Sequence, residues 1–141
     1  MRYEAHIIKF LSKNRLMSLA TSLRNKTWAA TVFFAYDANC NLFFFSNPRT
    51  KHCKDIARNP HVAVTFNQYT GKPNSIKGLQ IIGRASKVPR KNLAGAYARY
   101  RARYRWADKF ASDHALYVIR PAKIHYIDQK LFGHFFRVRV K

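Results

Sequence analysis

The chain has 141 residues, of which 48% are hydrophobic and 15% are aromatic. This content excludes an intrinsically disordered protein and suffices for a hydrophobic core without disulfides or bound metal. The 27 lysines and arginines against 6 acidic residues give a net charge of +21, which leaves few carboxylates for acid–base catalysis. We predict one domain over residues 1–141.

The N-terminal segment and the two cysteines predict a cytoplasmic protein. No apolar run reaches the roughly 20 residues of a membrane span, and Met1 is not followed by a signal-peptide core. Cys40 and Cys53 lack metal-ligand spacing and are interpreted as free thiols in a reducing compartment. The histidines share no metal-ligand spacing either, so we predict no metal site.

The net charge of +21 has two explanations that the sequence leaves open. It attracts nucleic acid, acidic membranes or phosphorylated small molecules. A positive net charge of this size is equally expected if the proteins of the organism are basic in general. The charge would then have no bearing on function.

In chain order, the first half predicts a helix followed by strands. Residues 3–13 are predicted as an amphipathic helix, because Ile7, Phe10 and Leu11 follow the i, i+3, i+4 spacing. Runs rich in β-branched, aromatic and other apolar residues predict strands at residues 16–22, 27–36, 42–45 and 62–66.

The segment between the last two of these strands has the features of an anion site. The strand at residues 42–45 is entirely apolar, which predicts burial on both faces, and Ser46-Asn47-Pro48 after it is typical of a turn. Thr50 is predicted to cap a helix over residues 51–58, which Asn59-Pro60 ends. Hydroxyl, amide and cationic side chains thus meet a helix N-terminus, an arrangement that suits a phosphate.

The second half predicts more strands around one long helix. Gly83 interrupts a strand at residues 79–88, which indicates a bulge or a close backbone approach. Apolar and aromatic residues from Leu93 to Ala107 recur at steps of four and three, which predicts a helix. Two further strands are predicted at residues 115–119 and 123–127, separated by a turn at Arg120-Pro121. The tail 135–140 alternates and is predicted to add an edge strand.

The long helix interleaves tyrosines with arginines. Core packing of the tyrosines and a basic solvent face explain the spacing without further assumptions, and this is the favoured interpretation. The alternative is a nucleic-acid surface, with phosphates on arginine and bases on tyrosine. The residues concerned are Tyr97, Tyr100, Tyr104, Arg99, Arg101, Arg103 and Arg105.

Together these elements predict a mainly β protein with helices, of the α+β class. Strands at hairpin spacing favour an antiparallel barrel or sandwich, because a parallel doubly wound sheet would need a helix after nearly every strand.

Several motifs occur in a characteristic order: Leu19-Ala20-Thr21, the strand Trp28 to Tyr36 with Asp37, Leu42 to Asn47, Thr50-Lys51-His52, Asn59-Pro60 with Val62-Ala63-Val64, and Leu79 to Ala85. In this order they resemble the flavin-binding split β-barrel superfamily, the pyridoxamine 5′-phosphate oxidase-like proteins. The resemblance is closest to a group of short bacterial members. It implies an antiparallel split β-barrel of six to seven strands flanked by two or three helices.

The resemblance also implies a homodimer that binds flavin mononucleotide (FMN) at the subunit interface. An FMN-dependent oxidoreductase acting on a small molecule would follow, and no catalytic residue is assigned. By position in the motifs, the phosphate and ribityl chain of FMN would contact Ser46, Asn47, Thr50, Lys51 and His52. The edge of the flavin ring would contact Ala30 and Thr31, mainly through their backbone groups. Gln80 would contact the ring or a neighbouring polar group.

The chain departs from the better-known oxidases in three respects. His52 occupies a position where those oxidases usually carry lysine, and the strand from Trp28 to Phe34 has no charged residue. A basic C-terminal substrate segment is also missing. FMN binding is therefore a firmer expectation than pyridoxamine phosphate oxidation itself.

Two alternatives to a flavoprotein remain. A basic nucleic-acid-binding module would use the positive charge and carry no flavin. A split barrel that binds haem or a deazaflavin, or no cofactor, would have the same fold and no affinity for FMN.

Overall fold

A computed structural model describes residues 1–134 and 136–141. Every strand pair in it is antiparallel, and seven strands follow the order β2-β1-β5-β6-β7-β4-β3, with β8 added beside β7. The predicted α+β class with an antiparallel sheet is confirmed. The strands are β1 (Leu16–Leu23), β2 (Lys26–Phe33), β3 (Ala35–Tyr36), β4 (Leu42–Ser46), β5 (His61–Gln68), β6 (Lys77–Lys87), β7 (Ala115–Asp128) and β8 (Val138–Arg139).

The helices of this part of the chain pack on both sides of the sheet, with residues of the first helix in one apolar cluster and residues of the long helix in the other. Three α-helices have eight or more residues, as expected, and one single-turn helix and one 3₁₀-helix accompany them. They are α1 (Glu4–Ser12), α2 (Lys51–Arg58), α3 (Arg90–Arg103), the 3₁₀-helix Arg105–Phe110 and α4 (Gln129–Phe132). None of the described helices is long and apolar enough to cross a membrane.

Two apolar clusters lie on opposite sides of β4. In the main core, Leu42 and Phe44 pack with the apolar face of α1 and the inner faces of the central strands. In the second cluster, Phe43 packs with Tyr100 and Tyr104. The alternation of side chains along a strand sends neighbouring residues to opposite clusters. The prediction that this strand is buried on both faces is confirmed.

The turn predicted at Arg120-Pro121 is wrong, because β7 runs through both residues as one strand. Pro121 is opposite Gly83, and the pairing of β6 with β7 shifts register between Ile82 and Gly83. A proline that has no N–H to donate is tolerated at such a bulge. The predicted bulge at Gly83 is therefore confirmed, and it accommodates the proline that had suggested a turn.

The predicted strand at residues 27–36 is interrupted at Phe34. The Phe34 amide donates to the Arg15 carbonyl at 3.1 Å, and its carbonyl accepts from the Tyr104 hydroxyl. Because the Phe34 carbonyl is bonded by a side chain and not by a strand partner, β2 and β3 are separate strands.

The long helix is shorter than predicted. It ends at Arg103, and the 3₁₀-helix contains Ala107. Tyr100 and Tyr104 are buried as expected, whereas Leu93 is exposed and Tyr97 is only partly buried. The core-facing interpretation of the tyrosines therefore holds for the C-terminal half of the helix.

The predicted edge strand in the tail is confirmed for β8, whose residues pair with His125 and Tyr126 of β7. Phe135, the first residue of that prediction, lies outside the described residues.

Replacement of Gly83 by alanine should destabilise the protein. A β-carbon at Gly83 would approach the Arg120 carbonyl oxygen to 2.5 Å, and such overpacking costs about 1–3 kcal/mol. Gly95 in α3 is the matched control, because a β-carbon there meets no atom within 4 Å. Its replacement by alanine should stabilise the helix by up to about 1 kcal/mol. Urea unfolding measures both, and equal changes would show that the bulge tolerates a side chain.

Candidate functional site

The loop between β4 and α2 is held by hydrogen bonds from its own residues. The Asn47 side-chain oxygen accepts from the Arg49 amide at 2.9 Å. The Asn47 carbonyl accepts from both the amide and the hydroxyl of Thr50, at 3.0 and 2.9 Å. This local network sets the direction in which α2 begins.

Thr50 occupies the N-cap position of α2, but the predicted side-chain cap is wrong. Its backbone has the extended conformation of a cap, and its hydroxyl accepts no bond from a helix amide. That hydroxyl instead donates to the Asn47 carbonyl and lies 3.3 Å from His52 Nε2. The first-turn amides of α2 therefore have neither an intrahelical acceptor nor a side-chain cap.

His52 lies in the interior rather than on an exposed helix end. It is 8% exposed, and its Nε2 lies 3.0 Å from the Ser46 hydroxyl and 3.3 Å from the Thr50 hydroxyl. Burial lowers the pKa of His52, and the attraction of Asp55 opposes this shift only in part. The imidazole is therefore mainly neutral near pH 7. Ser46, Thr50 and His52 form what we call the hydroxyl–imidazole cluster.

Lys51 points away from this cluster and is bound by a buried carboxylate. Its Nζ lies 2.7 Å from Asp55 Oδ1, and Asp55 Oδ2 accepts from the Thr21 hydroxyl at 2.9 Å. The hydrogen bond from Lys51 is the main cause that lowers the pKa of Asp55, and it outweighs the opposing effect of burial. Our sequence analysis missed Asp55 and Thr21, although the i, i+4 spacing of Lys51 and Asp55 was a usable signal.

The remaining predicted residues lie on two different faces of the sheet. Ala30 pairs with buried Leu19, whereas Thr31 pairs with exposed Ser18. Gln80 shares the outer face with Thr31, since the pairing runs from Ser18 through Thr65 to Gln80. The Gln80 side-chain oxygen accepts from Arg137 at 2.6 Å. The chain thus brings Ser46, Asn47, Thr50 and His52 together and separates them from Thr31 and Gln80.

Five cavities in the described part of the chain lie away from the predicted phosphate loop. Of five cavities between 370 and 690 Å³, none is lined by a residue from 46 to 52. Thr31 lines a cavity of 370 Å³ beside the α1–β1 connection. A cofactor that contacts both groups of residues would therefore need a further surface.

The outer face of the sheet offers such a surface. The large apolar side chains of Leu16, Phe33 and Ile82 are 51%, 43% and 53% exposed there. Ala29 and Ala63, both exposed, flank Ala20 on the same face. A polar row that contains Thr31 and Gln80 lies between these two apolar groups. Exposed apolar side chains grouped in this way are typical of an interaction surface.

Metal chemistry has no evident centre in this part of the chain. Within residues 1–134 and 136–141, no group of three metal-ligating side chains is found. Cys40 and Cys53 are buried and free, and burial is the main cause that raises the pKa of Cys40 to about 11.

The chain is similar in sequence to one protein family and to several bacterial relatives. The family model for pyridoxamine 5′-phosphate oxidase matches residues 3–128. A UPF0306 protein of Klebsiella pneumoniae is 28% identical over 134 residues, which cover 92% of this chain and 88% of the relative. A UPF0306 protein of Pasteurella multocida is 29% identical over 99 residues, or 70% of this chain and 66% of that protein.

Solved structures share the fold at low identity. A haem-binding protein from Mycobacterium smegmatis superposes with a TM-score of 0.81 at 17% identity, over 98% of this chain and 56% of its own. An FAD-binding protein from Mesorhizobium loti gives a TM-score of 0.71 at 20% identity, over 85% of this chain and 88% of its own. The predicted split β-barrel fold is confirmed. Since the family model spans nearly all of the sequence, the chain belongs to the pyridoxamine 5′-phosphate oxidase family.

Proposed function

We propose that the protein binds FMN and acts in the cytoplasm as a flavin-dependent oxidoreductase on a small molecule. The observation that carries the proposal is the uncapped N-terminus of α2 beside the hydroxyl–imidazole cluster. A helix N-terminus with free amides favours a bound phosphate. The proposal assigns the FMN phosphate to the loop from Ser46 to His52.

Each group of this loop would have a distinct role. The first-turn amides and the Ser46 hydroxyl would donate hydrogen bonds to phosphate oxygens, whereas the Thr50 hydroxyl already donates to the Asn47 carbonyl. His52, neutral near pH 7, would act through one N–H and not through a charge. Lys51 already neutralises Asp55, so its positive charge would contribute less than that of a free lysine. These features support a phosphate site that depends more on hydrogen bonds than on ion pairs.

A second copy of the chain would complete the cofactor cleft. Thr31 and Gln80 lie on the outer face with Leu16, Phe33 and Ile82. Burial of that face in a homodimer would remove apolar area from water, at about 25 cal/mol for each Å². It would also bring one copy's outer-face residues toward a cofactor held by its partner's loop.

When bound, the flavin ring would supply hydride or electron transfer. The residues of this chain would bind and orient the cofactor and exclude water. Backbone groups of Ala30 and Thr31 are proposed to lie along the ring edge.

Haem-binding and FAD-binding proteins share this fold. The first experiment therefore tests whether the protein binds FMN or one of these other ligands. An absorbance spectrum of purified protein, followed by titration with FMN, should show a flavin spectrum or a saturable spectral change. Binding of haem in place of FMN would contradict the proposal. So would the absence of any spectral change or thermal stabilisation at high FMN excess.

The phosphate assignment predicts that variants of the loop discriminate between FMN and riboflavin. Combined replacement of Lys51 and His52 by alanine should weaken FMN binding by a factor of about ten or more. The reason is that hydrogen bonds to a charged group contribute about 1.5–3 kcal/mol. Riboflavin, which lacks the phosphate, should lose less than about twofold by the same reasoning.

Lys54→Ala is the matched control for this comparison, because Lys54 is an exposed cation one turn further along α2. Its replacement should affect neither ligand. Fluorescence titration gives all the dissociation constants, and equal losses for FMN and riboflavin in the double variant would remove Lys51 and His52 from the phosphate site.

The buried His52 predicts acid lability. Its folded-state pKa is lowered by burial, so below the ordinary histidine pKa of about 6.5 the unfolded chain binds more protons than the folded one. Stability should therefore decrease as the pH falls from 7.5 to 5, by no more than about 1.4 kcal/mol per pH unit from this group. Asp55 adds to the loss only at lower pH, because its folded-state pKa is lowered as well.

Urea unfolding at several pH values tests this effect by comparison of variants. The stability difference between the wild type and His52→Gln should shrink on acidification, since glutamine does not titrate. The exposed His6 is the matched control, and His6→Gln should follow the wild type. A constant difference between the wild type and His52→Gln would contradict a shifted pKa.

A further inference from the structure

The largest of these five cavities lies away from the predicted phosphate loop. It has a volume of about 690 Å³ and lies between the end of α1, β3 and one side of α3. Ala35 and Tyr36 of β3 pair with the start of β4, whereas Ser46 is at the other end of that strand. Its volume is within the 300–1,000 Å³ typical of small-molecule sites.

Small residues on α3 leave this cavity open. Gly95, Ala98 and Ala102 line it at helical spacings of three and four residues. These positions share one face of the helix, and none carries a side chain larger than a methyl group. Arg99 and Arg103 lie on the same side and line the cavity too.

The guanidinium group of Arg103 is held without a carboxylate. It lies over the rings of Phe34 and Tyr36, with Cζ 4.9 and 5.2 Å from their centroids. Its Nη2 donates to the carbonyls of Leu11 and Asn14 at the end of α1. Among the described residues, its buried Nε and Nη1 have no hydrogen-bond partner. The group therefore has no acidic partner and has unpaired buried donors, which is costly in a partly buried position.

Two more arginines add charge at the same cavity. The Cζ of Arg15 lies 6.0 Å from the Tyr104 ring, and the Cζ of Arg103 lies 5.8 Å from that ring. Arg99 Nη1 lies 3.4 Å from the Tyr36 carbonyl oxygen. None of the residues that line the cavity is acidic. Arg15 and Arg103 both lie near the Tyr104 ring, so their positive charges repel each other. A bound anion would offset that repulsion.

We propose that this cavity is a second anion site, which binds a compact small molecule with at least two negative charges, of the phosphorylated class. Arginine side chains suit phosphate because their planar donors match its oxygens. The volume of about 690 Å³ is that of a small-molecule site, which favours a small molecule over a nucleic-acid strand. This proposal stands apart from FMN binding, because the two sites share no residue.

Inorganic pyrophosphate is the probe for this site, titrated into the full chain by calorimetry at fixed ionic strength. The wild type should show saturable binding. Arg99→Gln should weaken it at least tenfold, because Arg99 is exposed and its replacement removes one charge from the rim. Lys91→Gln is the matched control: it removes one exposed charge from α3 and lines none of the five cavities. It should change the affinity less than twofold.

Ala98→Leu gives a second test that leaves the net charge unchanged. Ala98 is exposed, so the larger side chain should fill the cavity without disturbing the core and should weaken pyrophosphate binding at least fivefold. FMN affinity should stay within twofold of the wild type in both Arg99→Gln and Ala98→Leu, which separates this site from the Ser46–His52 loop.

Three results would overturn the proposal. One is the absence of saturable pyrophosphate binding by the wild type. Another is an equal loss of affinity in Lys91→Gln and Arg99→Gln, which would indicate diffuse attraction by the whole basic surface. The third is displacement of pyrophosphate by a short oligodeoxythymidine whose own binding also weakens in Lys91→Gln, which would assign the charge to nucleic acid.

Discussion

Burial of β4 on both faces is the constraint on which the rest of the structure depends. Leu42 and Phe44 pack into the main core, and Phe43 and Phe45 pack toward the cluster beneath α3. A slip of one residue would exchange the two sets of side chains between differently shaped clusters, so the register is strongly specified. The point where the chain leaves this strand, Ser46, is therefore fixed, and the start of α2 is fixed with it.

The scarcity of acidic residues shapes how the chain handles its positive charge. With 6 carboxylates for 27 lysines and arginines, most cations cannot have an acidic partner. Asp55 is used inside the fold, where it binds Lys51 and Thr21. Arg103 is stabilised instead by aromatic ring faces and helix-end carbonyls. Cation–π contacts and helix-end dipoles hold a charge without cancelling it, which leaves the α3 cavity positive.

Local sequence patterns predicted the elements well wherever the local signal agreed with the tertiary structure. The helix at residues 51–58 has those bounds in the structure, and the bulge at Gly83 lies where the glycine indicated. The predicted turn at Pro121 was wrong, because a proline indicates a turn unless the bulge opposite it is known. The predicted strand was also wrong at Phe34, whose backbone is bonded by Tyr104, a residue 70 positions away.

The sequence by itself determined the order of the elements, the double burial of β4, the place of the loop before α2 and the family. The first three follow from the period of apolar residues and from turn chemistry, which act between neighbours in the chain, whereas the family came from the resemblance of the motifs. Only the tertiary structure decided what each polar side chain of the site contacts. It buried His52 and joined Asp55 to Thr21 across 34 positions. The physical reason is that burial and ion pairing depend on groups distant in sequence, which no local pattern contains.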